Sequence, residues 1–459
     1  MSPRVYVVIG KNFGDEGKGR VVDDLAGGRE TADLGDNLMT ATYRECDRCL
    51  VIRHNGGAQS GHTVVRKALQ DSCGADREKR FVFHELGAGS FTGADTLWAD
   101  TFYPDLYKLN EEYAAFYALS GIRSSIFSMP ETPITTIDDV LLNMALEKSR
   151  GDGRHGSCGM GIYEAYLRTK AGFGITVGDV KKGGAHELYE LLRRNREEYV
   201  IPRVRQLAAM HSANKAVAGT DNGAEIDISD SGIDMDRCSD IMELLEYDNV
   251  LMNAAEEMCN AAEKVTLVGD IPAFFEGYDR LIFETGQGLL LDSENTEYAP
   301  HVTGSRTGLT NPAAFVKRFG LRIDEVVYVT RSYVTRHGAG LLKHECSRQD
   351  LGIKTSDSTN VTNEWQGDFR YGPHGSIEEF LEAPLRDMED AFIEPRRNNE
   401  IQIDAPMQPW HRPMVSLAVT HLSDTGNRML FADAHSMDIK DFAKKSAIKG
   451  AFDGFYLYD

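Results

Sequence analysis

Val5-Tyr6-Val7-Val8-Ile9, then Gly10-Lys11-Asn12-Phe13-Gly14-Asp15-Glu16-Gly17-Lys18-Gly19, then Arg20-Val21-Val22-Asp23-Asp24-Leu25-Ala26: the reading of residues 5–26 decides the fold. The first five residues form a β-rich apolar run without alternation, as expected of a strand buried on both faces. A glycine-rich loop follows, and then a helix-compatible stretch. Strand, glycine loop and helix together are the local signature of a doubly wound sheet with a phosphate site. A Walker A loop reads G-x-x-x-x-G-K-S/T, and its hydroxyl normally holds Mg²⁺. Here the spacing from Gly10 to Gly17 is longer, and Gly19 stands where the hydroxyl would be. Another oxygen must then hold the metal, and Asp15 inside the loop is the available carboxylate. Gly14, Glu16, Gly17 and Gly19 would offer backbone N–H groups to phosphate at the helix start, with Lys18 as a point charge.

Further strand-like runs are Leu50–Arg53, Val265–Val268, Leu281–Glu284, Val326–Thr330 and Ser416–Thr420. Helical patterns over 136–148, 187–199 and 241–258 lie between several of them. Alternating strands and helices predict an α/β fold. Its centre is a large, mostly parallel sheet flanked by helices, P-loop-NTPase-like, with surface insertions. The polar stretches 27–48 and 218–236 read as insertions or loops.

Bulk properties narrow the function. A formal charge of −21 speaks against nucleic acid as a partner, because neutralising a phosphate backbone needs clustered Lys and Arg. No stretch of about 18 apolar residues occurs, so no membrane span is expected. Without a basic leader, a cytoplasmic location is expected. Seven cysteines fit reduced thiols. Cys46 and Cys49 form one CxxC, but a zinc site would need two further ligands, for which Cys73, His54 and His84 are the near candidates.

Five ordered segments carry a resemblance to adenylosuccinate synthetases. They are Gly14-Asp15-Glu16-Gly17-Lys18-Gly19; Arg53-His54-Asn55-Gly56-Gly57-Ala58-Gln59-Ser60-Gly61-His62-Thr63-Val64, similar to R-x-x-G-G-x-N-A-G-H-T-V; Gly156-Ser157-Cys158-Gly159-Met160-Gly161-Ile162, similar to G-T-T-G-R-G-I; Phe283-Glu284-Thr285-Gly286-Gln287-Gly288; and Thr335-Arg336-His337-Gly338-Ala339-Gly340, similar to T-R-V-G-A-G. The resemblance implies one ligase domain over 1–459. Such an enzyme joins L-aspartate to a 6-oxopurine nucleoside monophosphate through a 6-phosphoryl intermediate, with Mg²⁺ as cofactor and a nucleoside triphosphate as donor. It implies Asp15 as base and metal contact, His62 as acid, Lys18 on the transferring phosphoryl group and the Gly61 carbonyl as a second metal ligand. Gln287 would meet the purine; Gln59, Ser157, Cys158 and Thr303 would hold nucleotide or phosphate. Arg336 and Arg370 would serve aspartate or phosphate. A homodimer is implied as well.

The C-terminal quarter departs from the pattern. The arginine-rich aspartate loop is represented by Trp365–Gly372, where Gln366, Gly367 and Arg370 are the aspartate-binding candidates. The guanine-reading T-K-L-D is represented by Thr420-His421-Leu422-Ser423-Asp424, with His421, Ser423 and Asp424 as base-reading candidates and the Asp displaced by one residue. GTP or ATP/dATP could therefore be the donor. A family arginine that crosses the dimer falls on Gly172, and Arg168 is the expected replacement. These departures resemble a phage-associated branch that uses dGMP and makes 2-aminoadenylosuccinate, which favours (d)GMP as substrate and, for a phage-encoded chain, the host cytoplasm. Retained Asp15 leaves IMP as the alternative. A catalytically inactive nucleotide switch is the reading from another class.

Overall fold

The computed structural model describes residues 2–30, 42–43, 48–67, 78–151, 159–218, 232–354, 368–392, 412–433, 435–448 and 451–458. Nine strands form its central sheet: β1 Arg4–Gly10, β2 Cys49–Arg53, β3 Asp95–Trp98, β4 Ile126–Ser128, β5 Val265–Leu267, β6 Arg280–Gly288, β7 Glu325–Arg331, β8 Met414–Thr420 and β9 Gly454–Leu457. Their spatial order is β9-β8-β7-β1-β6-β2-β3-β4-β5, and every neighbouring pair is parallel. The expected parallel α/β sheet is thus observed, and all six expected strands lie in it.

Both sheet faces are covered. Along β1, Tyr6 and Val8 enter one buried apolar cluster, while Val5, Val7 and Ile9 enter the other. Two covered faces explain why the run shows no polar alternation. The unpredicted strands β3, β4 and β9 have only 4, 3 and 4 residues, too short for a periodic signal. The helix expected over 241–258 is two helices, Ser239–Leu244 and Asp248–Ala262, because Tyr247 between them adopts extended backbone.

The site lies where β7, β1, β6 and β2 end. The segments leaving these four central strands run side by side at the carboxyl edge, the usual place for a ligand crevice in a parallel sheet. Two antiparallel ribbons rise from this edge. One pairs His62–Lys67 with Glu78–Phe83; the other pairs Val334–His337 with Phe369–Gly372. Of the expected insertions, most of 27–48 and all of 219–231 lie outside the described residues.

Candidate active site

The first loop is held by its own carboxylate. Glu16 is buried, and its Oε1 accepts from the backbone N–H of Asn12 (3.0 Å) and of Gly14 (2.8 Å). Lys18 donates to the Gly14 carbonyl at 2.7 Å and stands 3.4 Å from Glu16 Oε2. Arg331 and Thr420 clamp the loop from β7 and β8, donating to the carbonyls of Asp15 (2.6 Å) and Glu16 (2.8 Å). A Cβ on Gly10 would lie 2.5 Å from Glu16 Oε2, so glycine is required there. The Glu16 side chain therefore shapes the loop. Gly17, at φ 85°, caps the helix Lys18–Ala26 in a backbone conformation that favours glycine.

Beside the loop opens a cleft of about 1090 Å³. Gly14 and Asp15 line it from the first loop, and Gln59, Gly61 and His62 from the segment after β2. Gln287 lines it from the end of β6, and Thr303 and residues 336–339 from the segments after β6 and β7. The structure thus brings Asp15 and His62 to one cavity from separate segments. Burial raises the Asp15 carboxyl above its ordinary value; Arg331, His337 and Lys18 oppose this, while Glu16 adds to it.

His62 is anchored by a residue to which sequence reasoning gave no role. Its Nδ1 meets Glu284 of β6 in a short hydrogen bond, and Glu284 Oε2 also accepts from Ala88 N–H at 3.0 Å. Arg53 balances the charge, 3.5 Å from Glu284, and its Nη2 reaches the His84 carbonyl at 2.9 Å. With Nδ1–H turned to Glu284, only Nε2 remains for another partner, and among the described residues it has none. Burial lowers the His62 pKa to about 4 despite Glu284. Burial pushes Glu284 up, but His62 and Arg53 outweigh it and hold the carboxylate at about 2. The signal for this trio was present: Arg53 and Glu284 are charges at the ends of apolar buried runs, where only paired charges are tolerated.

The second ribbon carries two arginines, of which Arg336 lines the cleft. Arg336 and Arg370 are direct cross-strand partners on the second ribbon. Arg336 donates to the carbonyls of Leu341 and His301 (2.9 Å for His301), and its guanidinium lies 4.5 Å from the centre of the Phe13 ring. Burial and the neighbouring Arg370 lower the Arg336 pKa to about 10. Arg370 donates twice to the Gly340 carbonyl, at 2.9 and 2.6 Å. The Nε of each arginine is buried and, among the described residues, without a partner. Two like charges are held side by side there, an arrangement that an anion would relieve.

Other expectations fare differently. Arg168 does not reach outward. It is 1% exposed, pairs with Asp139 at 2.9 Å, and donates to the carbonyls of Phe173 and Ile134, all within its own chain. It cannot replace a cross-dimer arginine, because leaving would strand the buried Asp139. His421, Ser423 and Asp424 do not line the cleft. They follow β8 beyond the first loop, where Thr420 touches Glu16 and Asp424 accepts from Tyr333 at 2.8 Å. Residues 423–425 form a 3₁₀ turn, so the displaced Asp is not turned to the far face of a strand. Ser157, Cys158, Gln366 and Gly367 lie outside the described residues, as does Cys46 of the CxxC. Among the described residues no group of three His, Cys, Asp or Glu could hold a metal. None of their helices is long and apolar enough to cross a membrane.

Sheet, loop and cleft together define an α/β protein of the phosphate-loop-like class. More narrowly, the chain belongs to the adenylosuccinate synthetase family, whose model matches residues 7–364. Adenylosuccinate synthetases of Acinetobacter baylyi and Ectopseudomonas mendocina are 26% and 28% identical to it, over 77% and 73% of this chain. The matched segment spans 66% and 63% of the length of those relatives. A fully ligated adenylosuccinate synthetase from Plasmodium falciparum shares the fold, with TM-score 0.57 and 17% identity over 93% of this chain and 80% of that one.

Proposed function

We propose that this chain is a ligase forming a C–N bond between L-aspartate and C6 of a 6-oxopurine nucleoside monophosphate, driven by a nucleoside triphosphate. One observation carries the reading: the Asp15 carboxyl and the Glu284-anchored His62 imidazole line a single cleft beside a phosphate-type loop.

The 6-oxo group leaves poorly, so O6 must first accept a phosphoryl group, which the aspartate amine then displaces as phosphate. Asp15 removes the N1 proton and makes O6 nucleophilic. Its raised pKa suits a group that must hold that proton afterwards. His62 offers Nε2–H to the phosphoryl oxygens once the incoming negative charge favours the imidazolium, while Glu284 holds Nδ1 in place. Lys18 and the loop N–H groups absorb charge on the transferring group. Arg336 and Arg370 take the carboxylates of aspartate. Asp15 and the Gly61 carbonyl are hard oxygen donors lining the same cleft, and they fit Mg²⁺, which keeps few protein ligands and takes the rest from phosphate and water. When bound, Mg²⁺ would neutralise the triphosphate.

For the nucleotide we favour (d)GMP, giving 2-amino-(deoxy)adenylosuccinate. Support comes from the departures at Trp365–Gly372 and at Thr420–Asp424. Retained Asp15 supports IMP as the second reading. The donor is GTP or ATP/dATP, and the assembly a homodimer. The test is a grid of IMP, GMP or dGMP with aspartate, Mg²⁺ and each donor, reading phosphate release and the ultraviolet shift of the product. Release that requires both nucleotide and aspartate supports the ligase. Hydrolysis indifferent to aspartate refutes it in favour of a switch.

A further inference from the structure

The turn that carries Gln59 and Gly61 into the cleft is backed by a side chain that the chemistry above does not use. His62 pairs with Phe83 at the end of the first ribbon, so the next residues outward, Gly61 and His84, stand across from each other. His84 Nδ1 lies 2.7 Å from the Ala58 carbonyl. A carbonyl only accepts, so Nδ1 carries the proton and donates it. A Cβ on Gly61 would lie 3.0 Å from His84 Cε1, so the imidazole presses on Gly61 where a side chain would begin. Gln59 and Gly61 line the cleft, whereas Ala58 is buried and His84 is not among the lining residues. The ring therefore supports the turn from behind.

The backbone of His84 is fixed in turn. Its N–H and those of Glu85 and Leu86 donate to the Glu112 carboxylate at 3.0, 2.8 and 3.0 Å. Glu112 belongs to the helix Leu106–Ser120, so this anchor is a rigid element. The His84 carbonyl accepts from Arg53 Nη2 at 2.9 Å, and Arg53 also pairs with Glu284, the anchor of His62. An imidazole whose backbone is held on both sides can act as a strut. The sequence offers His84 only as a zinc ligand beside Cys46 and Cys49, yet its Nδ1 proton is committed to a backbone carbonyl. Groups that orient a metal ligand from behind matter to metal affinity and turnover nearly as much as the ligand does.

Resting on the ligase reading, in which the Gly61 carbonyl meets Mg²⁺ and Gln59 the nucleotide, we infer that His84 is a positioning residue: its imidazole braces the turn Ala58–Gly61 and fixes both groups at the cleft. The experiment uses the full chain as wild type, His84→Phe and His84→Asn. Phe keeps a ring against Gly61 but loses the donor. Asn places an amide N–H where Nδ1 stands. One readout is the affinity for Mn²⁺, a paramagnetic substitute for Mg²⁺, by electron paramagnetic resonance with imido analogues of GTP and ATP and without aspartate. The other is kcat and KM with nucleotide, aspartate, Mg²⁺ and donor.

In His84→Phe the Mn²⁺ affinity and kcat should each fall about ten- to hundredfold, the usual cost of losing a group that orients a metal ligand. His84→Asn should recover most of both, with an unchanged circular-dichroism spectrum in each variant. Wild-type values in His84→Phe, or equal losses in Phe and Asn, overturn the inference and leave His84 a packing residue of the ribbon. Hydrolysis indifferent to aspartate in the wild type would instead overturn the ligase reading. The Mn²⁺ readout needs no turnover, so it decides the place of His84 in either case.

Discussion

The two walls of the cleft are built on opposite principles. On the wall from β1, β2 and β6, the charged groups are tied to one another: Glu16 to the loop N–H groups and Lys18, Glu284 to His62 and Arg53. On the second ribbon, Arg336 and Arg370 stand opposite each other; carbonyls and the rings of Phe13 and Tyr298 surround Arg336, and Glu345 lies 3.5 Å from Arg370. The first wall is complete and presents one imidazole nitrogen and one carboxyl to the cavity. The second keeps the Nε donors of both arginines without a partner among the described residues. Chemistry needs groups fixed before substrate binds, whereas an anion receptor must keep donors in reserve.

The largest effects should come from the complete wall. Asp15→Asn or His62→Asn should lower kcat by about 10²–10⁴, the usual loss for an acid or base, with an unchanged circular-dichroism spectrum. Near-normal turnover in either would break the contrast at its root. Glu284→Gln should cost about ten- to hundredfold in kcat, the worth of a charge-assisted hydrogen bond. It should also destabilise the fold by roughly 3–5 kcal/mol, because Arg53 loses its buried counter-charge. Thermal unfolding read beside turnover checks both halves. An intact melting temperature would show that Arg53 does not depend on Glu284.

The second wall predicts a different signature. Arg336→Met should raise KM for aspartate about tenfold or more while changing kcat little, since it removes binding rather than proton transfer. A loss confined to kcat would place Arg336 with the reacting groups and dissolve the distinction between the walls. Acid should act on the whole protein rather than on one step of the reaction. Burial holds His54 and His374 at about 3 and His62 at about 4. These values lie below the ordinary value of about 6.5, so the folded state binds fewer protons than the unfolded one between them. Stability is fully present above pH 6.5 and falls as pH drops toward 4, by about 1.4 kcal/mol per pH unit for each such histidine. Urea midpoints at pH 7 and pH 4.5 test this, and replacing His374 with Gln should flatten the slope.

Much of the fold was legible because buried parallel strands must be apolar throughout. Residues 5–9, 281–284 and 326–330 announce themselves, and a glycine loop between strand and helix says what lies at the strand's end. The short strands β3, β4 and β9 escaped because three or four residues carry no period; β5, equally short, was read from its apolar residues alone. Asp15 and His62 could be nominated from their motifs, but Glu284 could not be assigned as the anchor of His62. That pairing spans 222 residues and depends on β6 lying between β1 and β2. Arg168 shows the converse error. Its place near Gly172 suggested an outward reach, yet chain position does not say whether a guanidinium faces a partner or its own core.

Residue chemistry along the chain was thus sufficient to determine the class of sheet, the phosphate-type loop and the family, since each depends on local order and burial. Tertiary structure alone decided which charges are partnered and which are held in reserve. Neutralisation of a buried charge is a contact between distant segments, and its energy exists only once the strands are side by side.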